Sequence, residues 1–167
     1  MEFKKPYILS VGAIKPRKGY ALTLSAFMEI AEEFPALSYV IVGRGKLEAP
    51  ERVSVLSDLA REDLQGLYEN AALFLLAPQN IDGDVEGFGL VFLEAAKVGL
   101  PVIVTRGTGA DDAVQNGVTG FLVDSNPCAI AEAMRRVLRN PALRSKMSEQ
   151  SKLFAKTMSW DVQVSKY

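Results

Sequence analysis

Residues 82–97 read Asp-Gly-Asp-Val-Glu-Gly-Phe-Gly-Leu-Val-Phe-Leu-Glu-Ala-Ala-Lys, a polar glycine-rich loop that passes directly into an apolar helix. The first turn of a helix offers unpaired N–H groups at the positive end of its dipole, so Gly87, Phe88, Gly89 and Leu90 form a candidate anion site, and the glycines let a phosphate approach the main chain. Residues 90–96 carry apolar side chains on all faces, which predicts a helix covered on every side. Glu94 is then an anomaly, because a carboxylate is rarely buried without a partner. Glu86 stands eight positions earlier, where the helix should start. At 100° and 1.5 Å per residue the two carboxylates lie within about 80° of one another and about 12 Å apart along the axis. They can grip opposite ends of one elongated ligand, and carboxylate, amide nest, carboxylate suits a nucleotide-diphosphate sugar. The same residues also fit a capped core helix, with Glu86 as an N-terminal anion and Glu94 paired with a lysine or arginine.

Outward from this stretch, residues 7–12 form an apolar run ending in Gly12, and residues 19–34 show helical spacing through Leu22, Leu24, Phe27, Ile30, Ala31 and Phe34. The loop between them places Lys15, Arg17 and Lys18 at the end of a parallel strand, where ligands bind in open α/β sheets; a solvated basic turn is the alternative. Residues 38–43, 52–56, 71–77, 102–105 and 120–123 read as further strands, and residues 61–70 as a helix with Leu64, Leu67 and Tyr68 on one face. A short helix ending near Gly117, one starting at Asn126-Pro127 and one from Pro141 to about residue 157 complete the pattern. The Gly43-Arg44-Gly45 turn lacks the third glycine and following helix of a dinucleotide fingerprint, and Arg44 is expected to be exposed. Alternating strands and helices predict an α/β fold with a doubly wound parallel sheet, Rossmann-like, in three α/β/α layers with right-handed crossovers.

The chain has 167 residues, 49% hydrophobic and 23% charged, which fits a single domain over residues 1–167. A formal net charge of -1 gives no long-range attraction to nucleic acid or acidic lipid, and no 18-residue apolar run marks a membrane span. Residues 1–5 do not read as a signal peptide and Cys128 is the only cysteine, so the expected location is a reducing cytoplasm. The absence of histidine removes histidine-dependent triads and His/Cys metal clusters, leaving acid–base chemistry to carboxylates. Asp82 and Asp84 lack the spacing of a calcium loop, and no metal site is expected.

The Glu-Gly-Phe-Gly core at residues 86–89, followed by Leu-Glu-Ala at 93–95, resembles the E-x7-E segment of the retaining, GT-B-fold glycosyltransferases of family four. The resemblance extends from about residue 7 to Ser159-Trp160-Asp161, which is similar to the segment with which those enzymes leave their C-terminal domain. It implies that Glu86 is the catalytic residue and holds donor-sugar hydroxyls, that the amides of Gly87, Phe88, Gly89 and Leu90 hold phosphate and sugar, and that Glu94 holds the ribose hydroxyls. Gly12 and Lys18 match the family's diphosphate loop. Ala13 stands where the family usually carries an arginine, and Arg17 is its substitute in this reading. Gly109 and Asp112 match a further family segment in which Thr108 replaces a glycine, and the loop after the third strand would border the nucleobase.

A GT-B enzyme binds its donor between two such domains, and this length matches the C-terminal one. The resemblance therefore implies one half of a GT-B fold, a donor-binding domain, excised or stand-alone, whose N-terminal acceptor half is missing. It would bind a UDP-, GDP- or ADP-sugar for transfer to a glycan or lipid-linked acceptor, need no cofactor or metal, and be inactive alone. Peripheral membrane association would come through the missing half, at the inner face of the membrane. The alternatives are a non-catalytic nucleotide-sugar-binding module and a flavodoxin-like or nicotinamide-binding domain of another enzyme.

Overall fold

Short apolar runs bounded by glycine and polar loops pair in parallel when helices between them cover both sheet faces. The computed structural model describes residues 6–81 and 89–158. Among these residues β1 (Tyr7–Val11), β2 (Ser38–Val42), β3 (Val53–Leu56), β4 (Leu73–Leu76), β5 (Val102–Thr105) and β6 (Gly120–Val123) form one parallel sheet in the order β3-β2-β1-β4-β5-β6. Helices α1 (Tyr20–Ile30), α2 (Arg61–Asn70), α3 (Leu90–Val98), α4 (Pro127–Arg139) and α5 (Pro141–Thr157) flank it. α1 packs against α4, and α3 against α2 and α5, giving the expected three layers. Every residue of β4 and β5 is buried, as a strand covered on both faces requires.

Ser10, Thr23 and Tyr39 inside the fold satisfy one another and two backbone carbonyls, which limits their desolvation cost. Ser10 Oγ donates to the Leu75 carbonyl, the Tyr39 hydroxyl lies 2.6 Å from Ser10 Oγ and 2.9 Å from Thr23 Oγ1, and Thr23 in turn donates to the Tyr20 carbonyl at 3.1 Å. At the open edge of the sheet, Leu122 of β6 donates to Asn116 Oδ1 at 3.0 Å and accepts from Arg106 Nη2 at 2.9 Å. Side chains thus occupy backbone groups that would otherwise invite strand addition.

Three expectations change. Arg52 lies outside the third strand, in a left-handed turn at φ 65°. From there its guanidinium donates to the carbonyls of Ala31 (2.9 Å), Phe34 (3.1 Å) and Pro35 (3.1 Å), which follow the end of α1. The short helix expected before Gly117 is only a 3-10 turn, Asp111–Ala113, because the Asp111 carboxylate takes the amides of Gly107 (2.9 Å) and Thr108 (3.3 Å) and favours a turn over a helix. The third concerns α3, which starts at Leu90 after a left-handed Gly89 instead of at Glu86, so the helical spacing expected between Glu86 and Glu94 does not apply, and which is open on one side, as the site shows.

Candidate functional site

Strand order reverses between β1 and β4, and the loops at their C-terminal ends diverge there into a crevice where α/β proteins bind ligands. After β1 the chain is fastened to the neighbouring loop: Gly12 donates to the Val42 carbonyl at 2.9 Å and Ile14 to that of Arg44 at 2.8 Å. A Cβ on Gly43 would lie 1.9 Å from the Gly12 carbonyl oxygen, so only glycine permits this approach. Residues Pro16–Lys18 make a 3-10 turn, and α1 begins after Gly19 at φ 69°. A Cβ on Gly19 would lie 1.7 Å from the Ala77 carbonyl oxygen, which puts the basic turn directly on the end of β4. The Gln79 amide fixes the contact by donating to the Arg17 carbonyl at 2.8 Å.

Lys18 is 8% exposed, and its Cε lies 3.5 Å from where a Cβ on Gly12 would stand. The lysine stem therefore runs alongside Gly12, whose own amide is already used within the sheet. Arg17 is half-buried and Lys15 exposed. The floor of the crevice continues laterally: Thr105 donates to the Pro78 carbonyl at 2.6 Å, and Asn80 to that of Gly107 at 2.9 Å. On the other flank the exposed Arg44 donates through Nε to Asp58 Oδ1 at 2.7 Å, and that hydrogen bond holds the Asp58 carboxyl below its usual range. Gly109 is half-buried and Asp112 exposed beside this rim.

α3 enters from the far side, with Gly89 at φ 66° preceding its first turn and no side-chain cap on it. Its Phe92, Ala95 and Ala96 are buried, but Leu90 is 73% exposed and Glu94 and Lys97 are exposed as well. The expected all-round burial is thus corrected: apolar composition indicates that a helix has a core face, not how many faces are covered. Nor, among the described residues, is Glu94 paired with lysine or arginine. The Tyr68 hydroxyl donates to its Oε2 at 2.9 Å. Burial, and then the Glu94 charge, push the Tyr68 hydroxyl pKa far above its ordinary value. Its ring stacks on Phe74 (5.8 Å, 16°), which meets Phe92 edge-on at 5.8 Å. A cleft of about 200 Å³ opens beside the pair, lined by Leu64, Gln65, Tyr68, Glu94 and Lys97 among others. Sequence periodicity placed Tyr68 on an apolar face and missed this; the available signal is that a buried tyrosine hydroxyl needs a partner.

The structure thus gathers Gly12, Arg17 and Lys18 at the reversal point and sets Gly89, Leu90 and Glu94 on α3. Glu86, Gly87 and Phe88 lie outside the described residues, as does the turn at residues 82–84. Among the described residues no helix is long and apolar enough to cross a membrane.

Residues 2–154 match the family of Glycosyl transferases group 1. The chain is 31% identical over 152 residues to a GDP-mannose-dependent alpha-(1-6)-phosphatidylinositol monomannoside mannosyltransferase of Mycolicibacterium smegmatis, covering 82% of this chain and 40% of that protein. It is also 31% identical over 180 residues to a D-inositol 3-phosphate glycosyltransferase of Salinispora tropica, covering 95% of this chain and 36% of that protein. The chain therefore spans well under half of these relatives. Among solved structures, the C-terminal domain of a glycosyl transferase group 1 family protein from Francisella tularensis superposes with a TM-score of 0.77 at 18% identity, covering 91% of this chain and 85% of that one. HepE of Anabaena, solved in complex with UDP-glucose, superposes with a TM-score of 0.78 at 21% identity, covering 95% of this chain and 45% of that one. The structural matches share the fold over nearly the whole chain, and the family match spans residues 2–154: the chain belongs to the group 1 glycosyl transferases.

Proposed function

We propose that this chain is the donor-binding, C-terminal half of a retaining GT-B glycosyltransferase of family four, and that its ligand is a nucleotide-diphosphate sugar. What supports this reading is the basic Gly12–Lys18 turn at the point where the strand order reverses, packed on the end of β4, together with an α3 that follows β4 with no side-chain cap and carries Glu94 on its open side. A diphosphate in the crevice meets the Lys18 ammonium and the positive end of α3, which stabilise the negative charge that grows on the leaving diphosphate as its bond to the sugar breaks. Glu94 takes the ribose hydroxyls, and Glu86 the donor sugar. Cations of the protein, rather than a metal, neutralise the phosphates. The partly exposed edge bearing Leu90 faces the absent acceptor half, so transfer to a glycan or lipid-linked acceptor requires the complete enzyme.

Calorimetry tests this reading. UDP or GDP should bind with about -4 to -8 kcal/mol, the micromolar to millimolar range expected of half a cleft, and NAD and FMN should not compete. Glu86→Gln should weaken a nucleotide sugar and spare the bare diphosphate. Equal or tighter binding of NAD would remove the glycosyltransferase reading.

A further inference from the structure

We propose that Tyr68 is a positioning residue: its hydroxyl pre-sets the Glu94 carboxylate for the ligand's vicinal hydroxyls. The inference rests on the reading of Glu94 as the ribose ligand. Glu94 is an exposed glutamate on a helix, and such a side chain ordinarily samples several rotamers, whose loss on binding opposes affinity. Here Oε2 is engaged by the Tyr68 hydroxyl at 2.9 Å, whereas Oε1 has no hydrogen bond among the described residues. One oxygen is anchored, and the carboxylate it belongs to lines the cleft between α2 and α3.

The anchor is itself rigid. Tyr68 is 2% exposed, stacked on Phe74 of β4, and Phe74 is fixed edge-on by Phe92, two residues before Glu94 on the same helix. The sheet therefore sets the position of the hydroxyl, and the hydroxyl sets the carboxylate. Burial and the neighbouring negative charge also keep the tyrosine protonated, so it remains a donor when Glu94 is ionised. A hydroxyl serving only to satisfy its own buried oxygen would do as well against any backbone carbonyl; this one is spent on an exposed carboxylate at the rim of a cleft.

The test is calorimetry of Tyr68→Phe with UDP and GDP and with their 2′,3′-dideoxy counterparts. Phenylalanine keeps the ring stack and removes only the donor. For whichever ribonucleotide binds the wild type, affinity should fall about two- to twelve-fold, the cost of ordering one side chain, while the dideoxy compound should bind both proteins alike. In the Glu94→Gln background Tyr68→Phe should add little, because the two residues act as one unit. Equal losses for ribo and dideoxy ligands would reveal a structural role and overturn the inference. So would a Tyr68→Phe protein that still prefers the ribonucleotide as strongly as the wild type. A wild type indifferent to the two ribose hydroxyls would overturn the Glu94 assignment and this inference with it, and failure to bind any nucleoside diphosphate would overturn the proposed function itself.

Discussion

Gly43→Ala should destabilise the fold through one contact. The added methyl carbon would stand 1.9 Å from the Gly12 carbonyl oxygen and 2.8 Å from its carbonyl carbon, distances at which backbone must move. The loops after β1 and β2 would separate, straining the bonds from Gly12 to Val42 (2.9 Å) and from Ile14 to Arg44 (2.8 Å). Overpacking of this kind costs about 1–3 kcal/mol and each weakened backbone hydrogen bond about 0.5–1.5 kcal/mol, for a loss of roughly 2–6 kcal/mol. In a domain of this size that lowers Tm by roughly 4–24 °C. Gly66→Ala is the control, because Gly66 lies inside α2 with nothing within 4 Å of the new carbon. There alanine should raise stability by about 0.5–1 kcal/mol, as expected for replacing glycine within a helix. Urea unfolding followed by circular dichroism measures both. A Gly43→Ala protein as stable as wild type would refute the tight loop approach, and matching shifts in the two variants would show that helix propensity and sterics have been misjudged.

Lys18→Ala should weaken a nucleoside diphosphate by about 1.5–3 kcal/mol and a monophosphate by less, the scale of a charge-assisted hydrogen bond to the distal phosphate; calorimetry at low salt that finds neither Lys18→Ala nor Arg17→Ala affecting affinity would move the phosphate elsewhere. Arg52→Ala should cost about 2–3 kcal/mol in denaturant melts by releasing carbonyls beyond α1, and Arg52→Lys should restore only part of it, because a single ammonium cannot reproduce the guanidinium fork. Burial raises the Tyr39 hydroxyl from 10.0 to about 12, partly offset by its hydrogen bonds with Ser10 and Thr23. Because the folded value is the higher one, this contribution of about 3 kcal/mol is complete below pH 10 and is lost as pH rises towards about 12. Burial raises Tyr7 and Tyr68 as well. Tyrosinate absorbance should therefore rise together with unfolding, and three tyrosines titrating in a protein that stays folded would contradict it.

The helix at residues 61–70 and the strands Val102–Thr105 and Gly120–Val123 were legible to the residue, because each is a local pattern bounded by turn-forming residues. Legible too was the reason for the crevice: strands alternating with helices imply parallel pairing and right-handed crossovers, which leave few strand orders to choose among. Boundaries were less secure where a side chain has a distant task. Arg52 reads as the first residue of a strand, yet it turns aside to meet carbonyls fifteen to twenty-one residues earlier in the chain. The expected helix before Gly117 gave way to Asp111, whose choice of backbone partners is invisible to periodicity.

The candidate site divides in the same way. The residue types of Glu86, the glycine-rich turn, Glu94 and the basic turn were legible in the sequence, because ligand chemistry depends first on which groups are present; the vacancy at Ala13 was legible only against the resembled family, and where the helix starts was not legible at all. Only the tertiary structure decided that Lys18 folds beside Gly12, that α3 has an open side, and that Glu94 meets a tyrosine rather than a cation. Those contacts join residues from different helices and strands. Which face of an apolar helix meets the sheet, and which hydroxyl comes within 2.9 Å of a carboxylate twenty-six residues away, is fixed by packing of the whole domain and has no local signature in the chain.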